Sequence, residues 1–287
     1  MVVNEGGAMS GVGAIHISEI EPTLTALEKI LGVDLKNNAL GSVGKREFSG
    51  DIDVALDIDP KDIPEFIKRL EKTPEILDIK KSSVIMTKVK IVSYDQSKTT
   101  TIPRTGYVQI DFMPGNPGWM KTYYHSPTDK ESKYKGVFRN LLIASIAGVY
   151  QKQDSEETID DGRALESTRW MFSPTNGLVR VIRTPVPKKS GLGYTKKNNN
   201  KPLAKGIKDA DEIAKALDLD SAKDLNSFES LLAAIQKNYS ADMVKKIKDN
   251  FANNKTVQDI GLPDEIKTES LEDKQLRRIK QLNGFNR

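Results

Sequence analysis

Residues 40–59, LGSVGKREFSGDIDVALDID, constrain the fold of this chain more than any other stretch. Strand side chains alternate between faces. A strand over 51–58 therefore puts Asp51 and Asp53 on one face and Ile52, Val54 and Leu56 on the other, toward a core. Two carboxylates side by side repel each other, and a divalent cation between them relieves that repulsion. Hard oxygen donors suit Mg²⁺, which takes one or two carboxylates and leaves positions for phosphate oxygens. Upstream, Gly41 lets the backbone come close, and with Ser42 it offers N–H groups and a hydroxyl to anionic oxygens. The block reads as a turn and strand that handle a nucleoside triphosphate.

Composition narrows the chemistry further. The 287 residues contain no cysteine and only two histidines, His16 and His125, so thiolate sites, disulfides and histidine metal clusters are excluded. A metal must rest on carboxylates. No apolar run reaches the roughly 18 residues of a membrane helix, and no basic region followed by an apolar core opens the chain, so a cytoplasmic protein is expected. The formal net charge of +4 is unevenly spread: residues 163–205 hold ten Lys and Arg against a single acid, Glu166, whereas both flanks are net acidic. Such a local excess concerns partners rather than fold.

Along the chain, the four glycines among residues 1–18 indicate a loose arm. Leu24, Leu27, Ile30 and Leu31 recur at helical spacing over 21–31, with Pro22 in the first turn and Gly32 as the stop. A short strand at 37–40 should lead into the Gly-Ser turn. Asp57 and Asp59 read as strand-exit and helix-capping residues before a helix over 60–71. Residues 84–94 and 107–113 read as strands joined by a polar loop. In the second, Asp111 alternates with Val108, Ile110 and Phe112, and an acid embedded there is costly unless paired.

Residues 114–131 read as a turn-rich loop whose Trp119, Tyr123 and Tyr124 either stack a base or pack on the sheet. A long buried helix over 132–151 follows. Lys135 and Arg139, four apart near its start, share a face. Cations there oppose the helix dipole, so they either meet a triphosphate or an acidic neighbour, or form a solvated face. An acidic run at 154–161 reads as a linker. A hairpin over 168–172 and 178–184 turns at Ser-Pro-Thr-Asn-Gly, and Pro185 and Pro187 should end it. Residues 188–205 read as a mobile Lys/Gly/Asn segment. Arg169, Arg180, Arg183, Lys188, Lys189, Lys196 and Lys197 are the candidate phosphate contacts of a nucleic-acid partner, against the bland reading of a solubilising loop. If about six cations touch phosphates of a single strand, the log–log salt slope is about −4. Residues 206–287 read as helical, with segments at 209–217, 227–239, 241–253 and 271–282.

Leu40-Gly41-Ser42, Ser49-Gly50 and Asp51-Ile52-Asp53-Val54 together resemble the signature of the DNA polymerase β nucleotidyltransferase superfamily. That resemblance implies an α+β fold, a nucleotidyltransferase-like mixed sheet with flanking helices, here followed by the basic hairpin and a small C-terminal helical region. It implies a third carboxylate on a later strand, and Asp111, 58 residues beyond Asp53, fits. The implied organisation is a catalytic domain at 1–162, a basic hairpin and flexible loop at 163–205, and a helical domain at 206–287. The implied reaction moves a nucleoside monophosphate from an NTP to an acceptor hydroxyl. Asp51, Asp53 and Asp111 would be the catalytic and metal residues for Mg²⁺ or Mn²⁺, and Asp111 could also take the proton. Gly41, Ser42, Lys45, Arg46, Lys135 and Arg139 would meet the nucleotide.

The basic middle points to a nucleic-acid 3′ end as acceptor, RNA such as tRNA ahead of DNA. A protein or small-molecule hydroxyl is the alternative, and an inactive nucleic-acid-binding or virion-associated protein is a third reading. Residues 41–46 lack the gap and the Ser/Thr of a P-loop, and no GxGxxG opens a helix. More widely, GGAM, PTLTALEKILGVDL, SKYKGVFRN and RRIKQLNGF, with the acidic block, resemble nucleotidyltransferase-like proteins of tailed bacteriophages, which implies a bacterial cytoplasm.

Overall fold

The computed structural model describes residues 9–82, 84–150 and 165–266. Helix α1 (Ile17–Leu31) is entered through a short strand β1 (Ile15–His16), which pairs with β2 (Phe48–Ser49). The end of the expected loose arm is therefore built in: Ala14 and Ile15 are fully buried. Pro22 sits inside α1 rather than in its first turn, because the helix, capped by His16, starts at Ile17 and not at 21. Gly32 stops the helix in the left-handed region (φ 66°), which Gly adopts without a Cβ clash.

The central sheet has the strand order β3-β6-β5-β4, where β3 is Asp51–Leu56, β4 Ile76–Lys81, β5 Ile85–Lys90 and β6 Tyr107–Pro114. The β3–β6 pair is parallel and the others are antiparallel, so the sheet is mixed. Beyond β3 the chain at 38–40 runs alongside as an isolated bridge, Ala39 to Val54, in place of the expected strand. Asp59 caps the short 3₁₀ turn Pro60–Asp62 by accepting from Lys61 N, and α2 (Ile63–Glu71) follows.

Alternation makes one face of β3 and β6 apolar. Ile52, Val54, Leu56, Val108, Ile110 and Phe112 join Leu24, Leu27 and Leu31 of α1 and Phe66 and Leu70 of α2 in one core. Each of these large side chains contributes roughly 1.5–3 kcal/mol on burial. The acids of β3 and β6 are left on the other face.

A second core gathers the rest. Helix α3 (Pro117–Tyr123), where a loop was expected, is capped by Asn116 with Pro117 in its first turn, an N-cap and Pro signal legible in the sequence. Helix α4 begins at Gly136 rather than 132 and runs to Tyr150. It packs against β7 of a three-stranded sheet, β7 (Ser167–Ser173), β8 (Gly177–Pro187) and β9 (Tyr194–Pro202), and against α6 (Phe228–Asn238) and α7 (Ala241–Ala252), in a core that also takes in α5 (Ala210–Ala216) and α8 (Lys255–Ile260). Thus α4, placed by the sequence reading with the first domain, shares its core with the basic sheet and the C-terminal helices.

The segment expected to be mobile is also structured. β8 continues through Pro185 to Pro187 because the prolines fall at a register irregularity, and β9 pairs with it as a third strand. The expected helix at 271–282 and the acidic run at 154–161 lie outside the described residues. Among the described residues no helix is long and apolar enough to cross a membrane.

Candidate active site

The register of the parallel pair brings the acids together. Asp53 lies opposite Asp111, and Asp51 opposite Gln109, on the sheet face not covered by α1 and α2. Burial first, then the charges of Asp51 and Asp111, push the Asp53 carboxyl up to about 7. Asp111 is pushed up to about 6, chiefly by burial and further by Asp51, against the pull of Gln109, whose Nε2 donates to Asp111 Oδ1 at 2.8 Å. These are the shifts of half-buried carboxylates facing one another with too little positive charge nearby.

The Gly-Ser turn is pinned to the same strand. Leu40 N donates to Asp53 O at 2.8 Å, and Ala55 N donates to Asn38 O at 2.8 Å. Gly41 is left-handed (φ 64°), and a Cβ there would lie 4.0 Å from Asp53 Oδ2. The turn therefore opens directly beside the carboxylate.

A cleft of about 910 Å³ spreads from this point. Gly41, Ser42, Ser49, Gly50, Asp51 and Asp53 form one wall, and Tyr123, Tyr124, Lys133, Lys135, Gly136 and Asn140 contribute to the other. Asp111 is not part of its wall. Gly136 is required where α4 begins, because a Cβ would stand 2.3 Å from His125 O. That close approach brings Lys135 to the cleft.

The candidate phosphate cations separate on inspection. Arg46 lines the cleft; it pairs with Asp129 at 2.5 Å, while its Nε and Nη2 are buried with no hydrogen-bond partner. Lys45 Nζ donates to Ser126 O at 2.7 Å, tying the turn to the segment that leads into α4. Arg139 is a correction: its side chain is 3% exposed, lies outside the cleft wall, and donates to Leu225 O, Tyr123 O and Asn140 Oδ1. It is a core cross-link, and among the described residues no carboxylate pairs with it. Burial pulls its pKa down to about 10.

The aromatics divide as well. Trp119 belongs to the second core and donates its Nε1 to Pro174 O at 2.6 Å. Tyr123 and Tyr124 line the cleft, and burial, then the Asp53 charge, raise the Tyr124 phenol. Sequence reasoning missed Gln109, although its place two residues before Asp111 on one strand face was the available signal. Lys133 and Asn140 carried no such signal.

Of the basic sheet residues, Arg169 and Arg183 share one face, and Arg180 lies on the other with its Nη2 3.3 Å from Thr168 Oγ1. Lys188 and Lys189 enter the β8–β9 turn, and Lys196 and Lys197 stand on β9.

The donor set suits a hard divalent cation, since buried carboxylates with raised pKa values are what a cation would discharge. Among the described residues, however, no three acidic or histidine side chains already converge as a formed ion cage.

No family model matches the sequence, and no curated protein matches it. Among solved structures the chain is similar to Leishmania infantum polymerase beta in a ternary P/T complex. The identity is 13% and the TM-score 0.36, over 74% of this chain and 76% of that one. A likeness at that level carries no argument about function.

Proposed function

We propose that this chain is a metal-dependent nucleotidyltransferase that moves a nucleoside monophosphate from an NTP to an acceptor hydroxyl. The observation that carries the reading is the juxtaposition of Asp53 with Asp111 and Asp51 beside the Gly41-Ser42 turn, at a cleft large enough for a nucleotide.

In the reaction the acceptor oxygen bonds to the α-phosphorus, the bond from that phosphorus to the bridging oxygen breaks, and pyrophosphate leaves. The backbone at Gly41 and the Ser42 hydroxyl hold terminal phosphate oxygens, and Arg46 and Lys135 offset their charge. Asp111 is fixed through Oδ1 by Gln109, leaving Oδ2 to accept the proton of the acceptor. Asp51, Asp53 and Asp111 are the residues that would hold Mg²⁺ or Mn²⁺, whose chemistry is to lower the acceptor pKa and stabilise the leaving oxygen. Phosphoryl transfer asks a protein mainly for position and charge compensation, and these residues supply both.

The acceptor we favour is a nucleic-acid end, RNA before DNA, because ten cations against one acid lie in residues 163–205. The setting we infer from the phage resemblance is a bacterial cytoplasm. The test is incubation with each labelled NTP, Mg²⁺ or Mn²⁺, and RNA, DNA or lysate, beside Asp53→Asn. Label in nucleic acid that the variant abolishes supports the reading. Label in protein moves the acceptor to a protein hydroxyl, and no label in any fraction removes the transferase.

A further inference from the structure

The three-stranded sheet holds an arrangement that a merely solubilising surface would not keep. Arg169 on β7 pairs in register with Val181, and Arg183 on β8 with Ser167, so the two arginines are diagonal neighbours on one face. Diagonal cross-strand positions are within reach of long side chains. Arg183 is fixed in place: with the Asn198 amide oriented to satisfy its neighbours, the Asn198 oxygen accepts from Arg183 Nε at 3.0 Å and from Nη2 at 2.7 Å. Arg169 Nε is buried and has no acceptor. Burial, and then the neighbouring Arg183 charge, hold the Arg169 guanidinium below its ordinary pKa.

Among the described residues neither arginine forms an ion pair with a carboxylate. Two like charges, half-buried and one of them short of an acceptor, lower the stability of the fold unless an anion arrives. Guanidinium groups match phosphate oxygens in a planar, two-bonded geometry. The same face continues across β9, where Asn200 pairs with Arg183 and Asn198 with Pro185; beyond Asn198 the register shifts, and the exposed Lys196 stands in that irregular stretch. The opposite face carries Arg180 and Lys201, which are exposed. A pair of arginines beside an edge strand that carries further exposed lysines suits a polyanion better than a single small anion.

We propose that the Arg169–Arg183 face of this sheet is a phosphodiester subsite that grips the backbone of a nucleic acid, with Lys196 extending it along β9. That the bound strand is the acceptor of the reaction rests on the transferase reading; the binding itself does not.

The experiment uses the full chain and a labelled single-stranded RNA of about 20 nucleotides, followed by fluorescence anisotropy over a salt series without NTP. The Arg169→Gln/Arg183→Gln double variant is expected to bind at least about tenfold more weakly, with a salt slope shallower by about 1.4, roughly 0.7 for each lost phosphate contact. Lys201→Gln, on the other face, should change affinity by no more than about twofold, the effect of one peripheral charge. Should the double variant fail to fold, Asn198→Ala gives a second reading. It frees Arg183 without removing charge, so affinity should fall while the salt slope holds. A folded double variant, or Asn198→Ala, that binds RNA like the parent chain overturns the proposal, as does preferential binding to anionic lipid vesicles. Asp53→Asn should bind RNA normally, so a failure of the transferase reading shows as lost label with intact binding, and a failure of this one as the reverse.

Discussion

Asp53 and Asp111 sit opposite each other on adjacent parallel strands, and a Cβ on Gly41 would stand 4.0 Å from the Asp53 carboxylate. Parallel pairing of strands that lie 58 residues apart is what creates this centre: either acid alone would be a half-buried group with no evident task. The repulsion between them is a local cost that becomes useful when positive charge arrives.

That cost has a pH signature. Both carboxyls titrate above their ordinary value, so their contribution to stability is complete below about pH 3.8 and is lost as pH rises through about 6 and 7. Asp53→Asn should therefore stabilise the protein at pH 8, by about 1–3 kcal/mol, and much less at pH 4. Mg²⁺ should raise the melting temperature of the parent chain at pH 8 and leave that of Asp53→Asn unchanged. Thermal melts across pH, with and without Mg²⁺, check both statements.

Arg46 lines the cleft, its Nε and Nη2 are buried without a hydrogen-bond partner, and its Nη1 is held by Asp129. Replacing it by Gln removes a charge aimed at phosphate while leaving the cores untouched. The expected result is NTP binding weakened by about tenfold, near 1.4 kcal/mol, with a melting temperature within a few degrees of the parent. Calorimetric titration with a non-hydrolysable NTP measures it.

Arg139 makes the opposite prediction. Arg139→Met should cost about 2–4 kcal/mol in urea unfolding, because the Leu225 and Tyr123 carbonyls lose buried donors. The surviving folded fraction should bind NTP like the parent. Weakened NTP binding without loss of stability would show that Arg139 acts at the site after all.

Glu19 and Arg104 form a buried ion pair at 2.6 Å, and Arg104 also donates to Ala14 O and stacks on Tyr94 at 4.7 Å. Burial pushes the Glu19 carboxyl up, but the N–H groups of Asp95 and His16 together with Arg104 outweigh it and hold the pKa below the ordinary value. The stability that it supplies is therefore present above about pH 4.5 and is lost as pH falls through the lowered pKa. Arg104→Ala should cost about 3–5 kcal/mol by leaving the Glu19 carboxylate buried and unpaired. Glu19→Gln in the same background should recover part of that, as urea unfolding of the two variants would reveal.

Much of the candidate site was legible beforehand because strand alternation is local. Asp51, Asp53, Ile52 and Val54 sort to two faces from spacing alone, and Gly41 marks a turn from its residue type. The misreadings arise where packing between distant segments overrides local pattern. Lys135 and Arg139 look equivalent at helical spacing, but the close approach of Gly136 to His125 starts the helix after Lys135, sending Lys135 to the cleft and Arg139 into the second core. The Lys/Asn-rich segment looked mobile because its residues have little strand propensity, and the ladder with β8 overrode that.

The sequence by itself determined which faces of the strands are apolar, where the Gly-Ser turn falls, and that any metal must rest on oxygen donors, since each of these follows from residue type and short-range period. Only the tertiary structure decided that Asp53 meets Asp111, that Gln109 fixes the latter, and that Arg169 and Arg183 are diagonal neighbours on one sheet face. Those relationships depend on strand register and order between segments distant along the chain, which are set by the packing of whole cores and leave no periodic trace in the sequence.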